Sequence, residues 1–293
     1  VQWWCSARTA AWSWDWTPYP GVWLFVGALA VAYWRLARSG GSDEIRAGSR
    51  SRAAGDGADP STWRVLAFGA GLVLLWAVLD WPIGPLGASY LASVHMGQLL
   101  VLSLVAPALL LMGLPRRVLR APLGTPGGGP VLRAVTHPVA ALVIYNAVVV
   151  GTHVPAVLDT LVATQPGMLA MDMAWLLAGV VFWWPVLAPE PEREWFNPFF
   201  QMGYLFLNTV PATVPYSFLV FADFPIYRTY ELAPPIPGLS TIRDQRIAGL
   251  LMKVGGGVIL WTAITILFFR WYRDEESGLE VEPSAAGSGG TGG

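Results

Sequence analysis

His95, Met96, His153, Met168, Met171 and Asp172 are the side chains of this 293-residue sequence whose types and spacing suit chemistry. Met168, Met171 and Asp172 are three and four residues apart, so a helix through them carries all three on one side. Met96 follows directly on His95. Imidazole and thioether together form a soft-to-borderline donor set, the kind that selects copper(I) over zinc or magnesium. A carboxylate is a poor ligand for that ion, which gives Asp172 a supporting role. Asp80, between Leu79 and Trp81 and followed by Pro82, could orient a histidine by accepting its ring N–H. Plainer readings stand beside these. Methionine is a common gap-filler in helix interiors, and a lone histidine in a bundle is more often a hydrogen-bonded packing residue. His137, directly before Pro138, reads as a helix-start residue, and Asp159 as a solvated carboxylate at a helix end.

The elements that must position these groups are apolar helices. Hydrophobic residues make up 54% of the chain and charged residues 13%, about half the charge of an ordinary soluble domain. Windows of ~19 residues place spans at Val22–Leu36, Arg64–Asp80, Ser89–Met112, Pro138–Val157, Met168–Leu187, Phe199–Phe221 and Ile247–Phe269. Each is near the ~20 residues a helix needs to cross ~30 Å of hydrocarbon. Backbone polar groups in lipid must be satisfied within the segment, and no barrel-like alternation is present, so the spans read as helices. The fold class is all-α: a polytopic integral membrane protein, a bundle of about seven transmembrane helices over residues 1–272, followed by a disordered polar tail at 273–293.

Arginines set the expected orientation. Arg38, Arg46, Arg50 and Arg52 lie in a Gly/Ser/Ala-rich linker after the first span, and Arg116, Arg117, Arg120 and Arg133 follow the third. Both loops are therefore expected in the cytoplasm, with the N-terminus outside and the C-terminus inside. Arg228, Arg243 and Arg246 on the opposite side fit that rule less well. In this orientation His95, His153 and the start of the fifth span all meet at the outer face. The first residues, rich in tryptophan before Pro18 and Pro20, read as an interfacial aromatic belt and lack the pattern of a signal peptide.

Other chemistries are narrowed by what the sequence holds. One cysteine, Cys5, permits no intrachain disulfide and no cysteine-pair metal site. A net charge of −1 gives no reason to expect nucleic acid. A transporter would want polar residues on several spans and helices broken in matching halves; Asn146, Asn208 and prolines such as Pro107, Pro211 and Pro215 are the few such features. Gly255, Gly256 and Gly257 inside the last span would let a neighbouring helix approach closely. Membrane lipid is the expected surrounding, and self-association into a homo-oligomer is left open.

Longer motifs carry a resemblance. SYLASVHMGQLLVLSLVAPALLLMGLP at Ser89–Pro115, THP at Thr136–Pro138, GTHVPAVLD at Gly151–Asp159, FWWPVL at Phe182–Leu187 and GLSTIRDQRIAGLLMKVGGG at Gly238–Gly257 stand in an order that resembles the CtaG family of cytochrome c oxidase assembly factors. The likeness covers about residues 19–272. It implies a bacterial inner-membrane protein of seven helices that is an assembly factor and not an enzyme. Its partner would be a haem-copper oxidase subunit of the caa type, to which the family is thought to help deliver copper. By the same resemblance Arg243, Asp244, Gln245 and Arg246 would form a surface that docks the oxidase subunit, with helix capping as the plainer reading. Family members usually carry a further histidine where this chain has Leu99, and two more where it has Met168 and Asp172. Either the site is rebuilt around His95, His153, Met96, Met168, Met171 and Asp172, the last in a supporting role, or the scaffold persists as a metal-free structural subunit of a larger bioenergetic complex.

Overall fold

The computed structural model describes residues 2–46, 62–120, 128–188 and 196–281. Among these every regular element is a helix, beside one isolated bridge between Ile236 and Leu239. Four helices are long and apolar enough to cross a membrane: Thr62–Leu79, Ala92–Gly113, Gln165–Leu187 and Thr241–Glu276. A fifth span results if Gly128–Val135 and Pro138–Thr152, bent by 70° at their junction, count as one. The helical bundle is as expected, whereas a count of seven spans is not borne out.

Prolines account for most of the difference. The expected span Phe199–Phe221 is two helices, Pro198–Leu207 and Thr213–Phe221, parted by a turn. Pro211, inside that turn, has no N–H to donate, and its ring clashes with the carbonyl one turn back. The expected span Pro138–Val157 stops at Thr152, and Pro155 opens a separate helix, Pro155–Val162. The first expected span lies within the helix Pro20–Arg46, whose apolar stretch, Pro20–Leu36, is short for a crossing. The last helix continues to Val281, into the region expected as a disordered tail; residues 282–293 and the arginine-bearing linker at 47–61 lie outside the described residues.

Pro107 acts within the helix that carries His95. It cannot donate to the Ser103 carbonyl, and the ladder there widens into a π turn over Val101–Val105. At the next residue the Leu104 carbonyl accepts from Trp183 Nε1 at 2.8 Å. The Ser103 carbonyl faces Gly179, where any Cβ would collide with it, so glycine permits the two helices to close at this point. A second π turn, Leu251–Gly255, interrupts the last helix. Of the three successive glycines there, Gly255 meets the expectation of close approach, because a Cβ would press on Leu100 at 2.8 Å.

Residues 2–19 contain no helix and lie across the end of the bundle where His95 and His153 sit. The Ala7 amide donates to Val162 O at 2.8 Å, the Arg8 amide to Ser89 Oγ at 3.0 Å and the Tyr90 hydroxyl to Ala10 O at 2.6 Å. The expected aromatic belt is divided between two environments. Trp14 and Trp16 are exposed, while Trp4 turns inward and is 1% exposed.

Candidate functional site

His153 caps the C-terminal end of the helix Pro138–Thr152, which stops because the residue before Pro155 is driven out of the helical region. Its Nδ1 lies 2.6 Å from the Val149 carbonyl. A carbonyl only accepts, so in the neutral ring Nδ1 carries the proton and Nε2 keeps its lone pair. Nε2 lies 3.2 Å from Met96 Sδ. An imidazole nitrogen and a thioether sulfur thus face each other, both with lone pairs to give. A soft cation placed against them would be bound by both.

His95, one residue before Met96, is 0% exposed, and neither of its ring nitrogens has a hydrogen-bond partner. Leaving a buried polar atom unbonded costs roughly 1–3 kcal/mol, and the ring nitrogen without the proton keeps a lone pair free to bind a cation. The ring packs against Trp175, with centroids 5.0 Å apart, and against Tyr230 at 6.1 Å. Trp175 Nε1 donates to Thr152 Oγ1 at 3.0 Å, beside His153. Met168 and Met171 are buried on the same helix as Trp175, two turns and one turn before it and on its face. The structure therefore brings His95, Met96 and His153 to one end of the bundle and sets the two methionines on the helix face that adjoins it. The donors fit a copper(I) cargo held by nitrogen and sulfur. Among the described residues no group of three or more His, Cys, Asp and Glu side chains could hold a metal, so such a centre depends on thioether sulfur.

Asp172 is 0% exposed and accepts from Trp4 Nε1 at 2.8 Å, while its other oxygen is unbonded. It ties the N-terminal segment to the Met168 helix. Trp4→Phe removes the single donor to a buried carboxylate and is expected to cost about 1–3 kcal/mol, read as a lower melting temperature. Adding Asp172→Leu to that variant should restore most of the loss, because no buried oxygen then lacks a partner.

Asp80 does not serve a histidine, contrary to the sequence expectation. Its oxygens accept from the Tyr19 amide at 2.9 Å and from Trp23 Nε1 at 2.8 Å, which fastens the start of the first helix. The four residues expected to form a docking surface also divide. Asp244 is buried and accepts from the Ala92 amide at 2.6 Å, the Ser93 amide at 3.3 Å and the Ser93 hydroxyl. Gln245 is buried, accepting from the Ile226 amide at 2.8 Å and donating to Leu219 O and Phe224 O. Arg243 and Arg246 are exposed, and Arg246 pairs with Asp223 at 2.9 Å, a contact worth little in solvent. Asp159, expected to be solvated, accepts from the Arg228 and Thr229 amides at 3.2 and 3.0 Å.

That last contact anchors a strap that the sequence reading missed. Tyr227 donates to the His153 carbonyl at 3.2 Å and Tyr230 to the Gly87 carbonyl at 2.7 Å, so two tyrosines cover the histidines. Trp175 was also missed, although its spacing of four and seven residues from Met171 and Met168 places it on their face.

These features define a multi-pass helical membrane protein with a buried imidazole and thioether cluster at one end of its bundle. The model of the cytochrome c oxidase caa3 assembly factor family (Caa3_CtaG) matches residues 45–274, and the chain belongs to that family. The chain is also 25% identical over 291 residues to "Uncharacterized protein ML1998" of Mycobacterium leprae, an alignment that covers 87% of this chain and 40% of that protein. The chain thus spans less than half the length of this relative. No solved structure matches it.

Proposed function

We propose that this assembly factor takes up copper(I) at the outer side of the bacterial inner membrane and passes it by ligand exchange to a subunit of a caa-type haem-copper oxidase. The observation that carries the reading is the facing pair of lone-pair donors, His153 Nε2 and Met96 Sδ at 3.2 Å, beside His95 with both nitrogens unbonded. Neutral donors of this kind hold copper(I) without a buried negative charge and release it stepwise as a partner's ligands replace them. Arg243 and Arg246 are the exposed part of the expected docking surface, Arg246 in a solvent-facing pair with Asp223 that a partner's carboxylate could replace. The protein acts through transfer and assembly and not through catalysis.

The test is oxidase maturation in cells that lack the protein. Wild-type chain is expected to restore copper-replete, active oxidase, and a His95→Ala/His153→Ala chain at equal abundance is expected to leave the oxidase short of copper. Full restoration by the double variant would instead favour the second reading, a metal-free scaffold. That reading draws on the absence, among the described residues, of any cluster of three or more His, Cys, Asp and Glu ligands.

A further inference from the structure

A cavity of about 40 Å³ lies within the bundle, lined by neither His95 nor His153, and Ser103, Tyr145, Asn146, Asn208, Thr209 and Lys253 supply its polar lining. Both π turns border it, through Ser103 and Leu104 on one side and Met252 and Lys253 on the other. Helices interrupted in this way are frequent at functional sites. Lys253 is the one lysine of the chain, and it sits within the last apolar helix. An ionisable side chain at such depth is expensive and is a functional-site hypothesis by default.

Its partners leave the charge unmatched. Lys253 Nζ donates to the Thr209 carbonyl at 3.1 Å and to Thr213 Oγ1 at 2.7 Å, both at the break between Pro198–Leu207 and Thr213–Phe221. Among the described residues no carboxylate pairs with it. The break brings the negative end of one helix and the positive end of the next together, so their dipoles largely cancel. One of the three ammonium N–H groups is left over.

A second spare donor lines the same cavity. Asn146 Nδ2 donates to the Leu142 carbonyl at 2.8 Å and to Asn208 Oδ1 at 2.8 Å. The carbonyl fixes Asn146 as the donor, and Asn208 must therefore present its oxygen to it. The Asn208 Nδ2 group, on a residue only 4% exposed, is left with no acceptor among the described residues. The hydroxyl protons beside it are already placed, because Ser103 donates to Leu99 O at 2.7 Å and Tyr145 then donates to Ser103 at 3.2 Å. We infer that this cavity binds a compact monovalent anion of chloride size, held by Lys253 Nζ and Asn208 Nδ2. The volume suits about one such ion with a water and is too small for a lipid headgroup or an organic acid.

Melting of the full-length protein in detergent, in chloride against gluconate at equal ionic strength, tests this. Gluconate is too large to enter. Chloride at about ten times its Kd is expected to raise the wild-type melting temperature by about 3–6 °C over gluconate, with saturation. Lys253→Met should lose the difference. Asn208→Asp should lose it while remaining folded, because its carboxylate keeps the oxygen that Asn146 needs and supplies the missing negative charge. Equal wild-type melting in the two salts, or a chloride rise retained in Asn208→Asp, would overturn the inference.

Discussion

Asp244→Ala is expected to lower stability by about 2–4 kcal/mol, a fall of roughly 6–12 °C in the melting temperature of the detergent-solubilised protein. The helix that carries His95 begins after Leu91, whose side chain offers no hydrogen bond to the first-turn amides. Four amides at a helix start lack intrahelical partners. Asp244, from the start of the last helix, supplies the missing acceptor to Ala92 N and Ser93 N and places a negative charge at the positive end of the dipole. Its removal unbonds buried donors and unties two helices at once. Asp244→Asn keeps one acceptor oxygen and should fall between wild type and alanine. An alanine variant that melts with the wild type would show that the cap carries no weight.

His153→Ala is expected to weaken copper(I) binding by at least about 100-fold, the upper range for loss of a mere supporting group, with little change in folding. His153 ends a helix that Pro155 would end in any case, and its Nδ1 bond to Val149 O holds the ring rather than the backbone. Met96→Leu keeps the volume and loses the sulfur, so it should weaken copper(I) while leaving the melting temperature within about 1 kcal/mol of the wild type's stability. A His153→Ala chain that keeps wild-type affinity would remove His153 from the site.

The sequence made the helical class plain because apolar runs of spanning length have one solution in lipid. It gave seven spans where four helices, or five with the bent pair, are long and apolar enough among the described residues, since hydropathy sums across Pro211 and Pro155 without registering the backbone breaks these residues impose. His95, Met96 and His153 were legible as a set because helix ends bring them to one face. Asp80 and Asp244 were not legible in their roles, because a carboxylate at a helix end reads the same whether it meets solvent, a histidine or an amide far along the chain. Trp4, Tyr227 and Tyr230 come from segments without periodicity, where spacing carries no positional information. Lys253 had no role in the sequence pattern; its hydrogen-bond partners and the cavity beside it required the fold.

Copper(I) held by histidine nitrogen and methionine sulfur at the end of the bundle is the core of the proposed function. Its most direct test is the copper content of the purified protein after loading with copper(I) under reducing conditions, beside that of the His95→Ala/His153→Ala variant. About one copper per wild-type chain and none in the folded variant is the expected result. A wild type that binds no copper, or a variant that retains all of it, would contradict the account.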